Sequence, residues 1–212
     1  MKTLNYEDAR SMLLFCADAV IESKPLLTEI DSKIGDGDHG IGMACGMTKL
    51  KEKLEAMAGC RDVYKLFSEA GKAMLMSMGG ASGVIFGTML MGGAKGKTAE
   101  SISAAEFAQM MGESLAAIKQ RGKAEPGDKT MVDALEPAVK AMREYAGDDF
   151  AQMLHLAENA AAQGVESTKD LIAKFGRSKF LGERAIGYQD AGATSVWIIF
   201  KAMKQYTEGL SA

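Results

Sequence analysis

The chain has 212 residues, 47% of them hydrophobic and 25% charged, with a formal net charge of -3 and three cysteines. These figures exclude a disordered or collagen-like chain, and a chain of this size can build a core without disulfide staples. Net acidity without a basic cluster argues against nucleic-acid binding. No apolar run reaches the length of a membrane span, Met1–Asp8 lacks the apolar segment of a signal peptide, and Cys16, Cys45 and Cys60 form no CxxC pair. The expectation is a cytoplasmic protein with reduced thiols, forming one domain over residues 1–212.

Ala, Leu and Met far outnumber Val and Ile, and only three prolines interrupt the chain, which favours helices over strands. Helix-spaced apolar residues begin with Ala9, Met12, Leu13, Cys16 and Val20, in a first helix that Pro25 is expected to end. A second helix is expected over Gly42–Met57, a third over Val63–Met78, and a fourth from Gly79–Gly83 to Gly92. Ser103 with Glu106 reads as a capping box opening a fifth, which runs to Arg121. The sixth covers Met131–Ala146 with a possible kink at Pro137, the seventh Phe150–Lys174 behind a cap at Asp148 or Asp149, and the eighth Ala193–Glu208. The expected fold is all-α, an antiparallel eight-helix up-and-down bundle or barrel.

The links differ in character. Ala58–Asp62 and Ala146–Asp149 are short and plain, whereas Lys24–Gly40, Gly122–Thr130 and Gly176–Gly192 are long and rich in glycine and charge. With the glycine link Gly79–Gly83, these are the links after helices one, three, five and seven. Antiparallel packing should therefore gather them on one functional rim.

Asp31, Asp36 and Asp38 lie within eight residues, with glycines at 35, 37 and 40. Three converging carboxylates repel one another, and a divalent cation with all-oxygen ligation relieves this; a solvated acidic loop is the plain alternative. The GxGxxG spelling of Gly35–Gly40 lacks a preceding buried strand, and two aspartates there would face a pyrophosphate. Met47 stands where an EF-hand needs its twelfth-position Glu. The stretch Gly92–Thr98 lacks the first Walker glycine, since Met91 occupies that place. Gly79–Gly83 before a helix reads either as an anion-binding helix start or as a Ser82 cap. Asp128 or Thr130 can cap helix six, Arg177 suits phosphate oxygens or plain solvent, and Asp190 caps the last helix or contacts a ribose or phosphate. His39 either binds ligand, positions a carboxylate, or is incidental.

The ordered set GDGDHG (35–40), GGASG (79–83), RGKAEPGDKTM (121–131), GR (176–177) and LGERAIGYQDAGATS (181–195) resembles the L subunit of the dihydroxyacetone kinases, DhaL, over essentially the whole chain. The resemblance implies an eight-helix barrel with ADP or ATP at one rim. It implies two Mg²⁺ ions on Asp31, Asp36 and Asp38, which with Arg177 form the catalytic set. Nucleotide contacts fall on His39, Gly40, Ile41, Gly42, Ala81, Ser82, Gly122, Met131, Arg177, Asp190, Ala191 and Gly192. Gly42 departs from a frequent Asn, and Ala191 from a frequent Pro. Arg177 or Lys129 is expected to add positive charge at the phosphates. The implied activity is phosphoryl transfer to dihydroxyacetone held by a separate K subunit, with ADP rephosphorylated by a phosphotransferase-system M subunit. The alternatives are an ATP-dependent subunit for dihydroxyacetone or another short ketose, and a non-catalytic nucleotide sensor that binds a transcriptional regulator.

Overall fold

A computed structural model describes residues 1–57 and 59–210. Ala58, at the start of one expected link, and the last two residues of the expected domain lie outside the described residues. The fold is all-α, with nine α-helices among the described residues and one small antiparallel ribbon. The helices are α1 Tyr6–Glu22, α2 Lys24–Ile34, α3 His39–Glu55, α4 Val63–Ser77, α5 Gly80–Met91, α6 Ala104–Gly122, α7 Val132–Glu144, α8 Phe150–Ser167 and α9 Ala191–Gly209. The ribbon pairs β1 (Thr3–Asn5) with β2 (Ser101–Ser103), Leu4 opposite Ile102.

The helix the sequence reading lacks is α2. Pro25 does not end α1 by leaving an unstructured link; it stands in the first turn of a new helix, where its missing N–H costs nothing. Leu27, Ile30 and Ile34 form the buried stripe of that helix. The seventh expected helix is also shorter than its pattern: α8 stops at Ser167, and a 3₁₀ turn at Thr168–Asp170 leads into an irregular strap. Several caps match their chemistry. Asn5, Asp62, Asp149 and Asp190 each accept a main-chain N–H, and Ser103 with Glu106 closes a reciprocal capping box.

Consecutive helices pack against one another from α3 through α9, α1 packs against both α3 and α9, and α2, which lies between α1 and α3 in the chain, packs mainly on α3. One continuous apolar core runs through these contacts, with Phe67, Phe107 and Phe150 stacked edge to face. The two ends of the assembly differ. At one end the chain closes on itself: Phe150 N–H donates to Met1 O, Val63 N–H to Ala99 O and Tyr6 N–H to Glu100 O, next to the β1–β2 ribbon. The other end carries the N-termini of α3, α5, α7 and α9 and the glycine-rich connections.

Helices α4 and α5 approach closely because Gly71 and Gly87 face each other; a Cβ on Gly87 would lie 2.7 Å from the Gly71 carbonyl oxygen. Gly87→Ala should therefore destabilise the fold by about 1–3 kcal/mol through overpacking, read as a lower urea midpoint at unchanged m-value.

Candidate functional site

The last turn of α2 carries Asp31, and the four-residue connection to α3 carries Asp36 and Asp38. Gly37, at φ 76°, supplies the left-handed turn that brings the chain back. A side chain at Gly35 would collide with the Asp31 carboxylate. As a result, one carboxylate oxygen from each of Asp31, Asp36 and Asp38 lies within 4.8 Å of the others. Asp38 occupies the N-cap position of α3, yet its side chain caps nothing and stays available. Burial, then the charges of Asp36 and Asp31, raises the Asp38 pKa above the ordinary carboxylate value. An oxygen-only set with mutual repulsion fits a hard divalent cation such as Mg²⁺ and does not fit zinc.

His39 ties this loop to α9. Its N–H donates to the Asp31 carboxylate at 3.3 Å, its Nε2 lies 2.8 Å from Ser195 Oγ, and its ring hydrogen-bonds the main chain of Ala191. The ring leans on Phe86 of α5 at 5.9 Å, and desolvation holds its pKa below the usual histidine value. The imidazole is thus a tether between three helices. Ser195 and Phe86 were not singled out by sequence; a serine inside an apolar helix carries no pattern of its own.

The other expected positions sit around this loop. Gly40 packs so closely on Thr28 and the Lys24 carbonyl of α2 that a side chain there would clash, while Ile41 is exposed and Gly42 faces Met78. Gly79, not Ser82, is the N-cap of α5, and no side chain caps that helix start, where Ala81 is exposed and Ser82 half-buried. Gly122 ends α6 beside Ile85. Met131, the N-cap of α7, is buried against Gly192. The Asp133 carboxylate accepts the N–H groups of Gly127 at 2.6 Å and Thr130 at 2.7 Å, Asp128 is engaged by Lys174, and the Thr130 hydroxyl accepts the Val132 N–H. Arg177 reaches across from the strap and pairs with Asp36. Contacts therefore link three of the four unusual connections with one another and with α5, which the Gly79–Gly83 connection opens: Arg177 with Asp36, His39 with Ser195 and Phe86, Met131 with Gly192, and Gly122 with Ile85.

Lys129 departs from the sequence reading. It points inward and is 1% exposed, so it is not a surface charge offered to phosphates. Four helix N-termini remain at this end and, by the alignment of their peptide dipoles, favour an anion beside the carboxylate loop.

The model of the DAK2 domain matches residues 33–205. The chain is 38% identical over 191 residues to the PEP-dependent dihydroxyacetone kinase ADP-binding subunit DhaL of Escherichia coli, covering 89% of this chain and 90% of that protein. It is 38% identical over 188 residues to a DhaL subunit of Listeria innocua, with the same two coverages. Among solved structures, the native dihydroxyacetone kinase of C. freundii superposes with a TM-score of 0.72 at 25% identity, over 93% of this chain and 34% of that one. The chain thus spans about a third of that kinase.

Asp190 accepts the Ala193 N–H at 2.7 Å, and desolvation pushes its pKa from 3.8 up to about 7. A raised folded-state value means that the protonated form is favoured by folding. This contribution to stability is present in acid and is lost as pH rises from about 4 to about 7. Asp190→Asn, whose amide oxygen can keep the cap, should flatten that part of the Tm–pH profile measured in chelator.

Proposed function

The chain belongs to the DAK2-domain family, and on that footing we propose that it is the nucleotide-bearing phosphotransferase subunit of a dihydroxyacetone kinase. The observation that carries this reading is the convergence of Asp31, Asp36 and Asp38 at the end where four helices present their N-termini. In this reading residues 1–212 form one DhaL-type domain, and the closed sequence of helix contacts α1–α3–α4–α5–α6–α7–α8–α9–α1 supports an eight-helix barrel with α2 inserted. The three aspartates hold two Mg²⁺ ions. His39–Gly42, Ala81, Ser82, Gly122, Met131, Arg177 and Asp190–Gly192 receive ADP or ATP. The bound cations supply neutralisation of the phosphate oxygens.

Phosphoryl transfer asks the protein mostly for positioning and charge. The amides of Gly40 and Ile41 in the first turn of α3, behind the His39 amide held by Asp31, and the amides opening α5, which no side chain caps, offer N–H donors to phosphate oxygens. Arg177 is 72% exposed and pairs with Asp36, so its guanidinium would be free to meet phosphate oxygens if a cation took up the Asp36 carboxylate. His39 is committed to Ser195 and Ala191, and His155 bonds Asn159 on α8, so neither histidine is offered to a sugar hydroxyl as a base. The acceptor ketose is therefore assigned to a separate K subunit, and rephosphorylation of ADP to a phosphohistidine-bearing M subunit. The near-complete coverage of stand-alone DhaL subunits supports this division.

A second reading has its own observation. The chain is 36% identical over 185 residues to D-erythrulose kinase of Mycolicibacterium smegmatis, covering 32% of that protein, which favours an ATP-using subunit for another short ketose. Mass spectrometry of the native protein separates the two. Retained ADP that turns over with a phosphohistidine donor supports the first reading, and ATP-driven turnover with exchangeable nucleotide supports the second. Absence of product with either donor and any K-type partner favours a nucleotide sensor acting on a regulator.

Asp36→Asn should abolish Mg²⁺-dependent ADP binding in calorimetric titration and leave the helical circular dichroism intact. Unchanged affinity would remove the metal assignment. The exposed Asp36–Arg177 pair contributes at most about 1 kcal/mol, so the Tm of the metal-free variant should stay near that of the parent.

A further inference from the structure

Lys129 has no part in the reaction as proposed, yet its side chain is among the largest fully buried ones. Its backbone is left-handed, at φ 58°. Its Nζ donates to three main-chain carbonyls: Thr168 at 2.7 Å, Ala185 at 2.9 Å and Tyr188 at 2.6 Å. An ammonium has three N–H donors, and each can be assigned an acceptor here. Burial lowers the Lys129 pKa, against the opposing pull of Asp190, Asp170 and Asp133.

The three carbonyls belong to one segment. Residues 168–190 leave α8, carry Arg177 to Asp36 and end at Asp190, the cap of α9. Elsewhere Lys174 ties the strap to Asp128, through its N–H to the Asp128 carbonyl at 3.1 Å and its ammonium to the carboxylate at 2.6 Å, and Gln189 bonds Thr194 Oγ1 at 2.9 Å, while Gly187 N–H to Lys169 O at 2.8 Å and Asp190 N–H to Thr168 Oγ1 at 2.9 Å fold the strap on itself. Carbonyl oxygens converging on a single monovalent cation are how potassium is held once its water is removed. Arginine has a planar fork that cannot meet three converging oxygens, and a neutral side chain would leave those oxygens buried without donors.

We propose that Lys129 is a built-in monovalent cation that positions the 168–190 strap, and through it Arg177 and Asp190, for the nucleotide. This rests on the Mg²⁺–nucleotide reading of the site. Lys129 is a positioning residue in this account, acting through main-chain oxygens.

The test uses the full chain and its Lys129→Ala, Arg177→Ala and doubly substituted forms. Mg²⁺–ADP is titrated with tetramethylammonium as the sole monovalent cation, then in potassium or ammonium chloride. Lys129→Ala should keep its helical signal and bind ADP about tenfold more weakly. Potassium or ammonium should restore most of the loss while leaving the parent protein unaffected. The loss should be smaller in the Arg177→Ala background, because the strap then has less to position. Amides of 168–190 should exchange hydrogen faster in Lys129→Ala without nucleotide, with α4 and α6 unchanged. Unchanged affinity, a loss that no small cation restores, or strap exchange equal to the parent's overturns the proposal. If Lys129→Ala does not fold, Lys129→Arg, which keeps the charge but whose planar fork cannot meet three converging oxygens, carries the test. It should weaken ADP binding and loosen the same amides, and no change in either overturns the proposal. If the parent itself binds no Mg²⁺–ADP, the functional reading fails, while the exchange arm still decides whether Lys129 holds the strap.

Discussion

Mutual repulsion among Asp31, Asp36 and Asp38 is the constraint that gives this molecule its polarity. Three carboxylates within 4.8 Å of one another cannot all remain charged at low cost unless something positive is near. The structure answers with groups drawn from distant parts of the chain. Arg177 comes from the strap to Asp36, the His39 amide donates to Asp31, and α3, α5, α7 and α9 begin at the same end. These groups help the carboxylates tolerate one another, and they are also what an anionic ligand would meet beside a bound cation.

Tolerance at one end requires rigidity at the other. The N-terminus is tied down there: the Met1 ammonium meets Asp149, Leu4 is fully buried, and β1 pairs with β2 beside the start of α6. Between the ends, Trp197 and Lys204 of α9 both donate to Glu158 of α8, a half-buried cross-helix bond set that holds the last two helices in register. The carboxylate loop can therefore be strained electrostatically without being free to move apart. Its neighbours are fixed by packing rather than by its own contacts.

Much of this is legible in the sequence because most helices declare a buried face by spacing, and α1, α4, α6, α8 and α9 declare their start by a capping residue. Ser103 with Glu106, and Asp190 three residues before Ala193, were chemical statements that the structure repeats. The alternation of plain and glycine-rich links likewise encoded which links would share an end, since helix direction reverses at each link. Helix α2 was hidden because Pro25 carries two meanings, terminator of one helix or first turn of the next, and the Leu27–Ile30–Ile34 stripe is only three residues long. The end of α8 was hidden for the opposite reason: Leu171, Ala173 and Phe175 continue an apolar pattern after the backbone has left the helix. The His39–Ser195 bond joins residues 156 positions apart, and no local pattern announces such a pair.

Lys129 and Arg177 show how the same formal charge divides into two tasks once burial is known. Both stand in glycine-rich connections and read alike as cations beside a phosphate site. Arg177 lies in water, where an ion pair with Asp36 is worth little and is readily exchanged for another anion. Lys129 is sealed from water, so every donor must be matched, and removing it strands three carbonyl oxygens as well as losing a charge. One cation is suited to being redirected and the other to staying in place. The 168–190 strap joins them, anchored by a lysine that cannot leave and carrying an arginine that can.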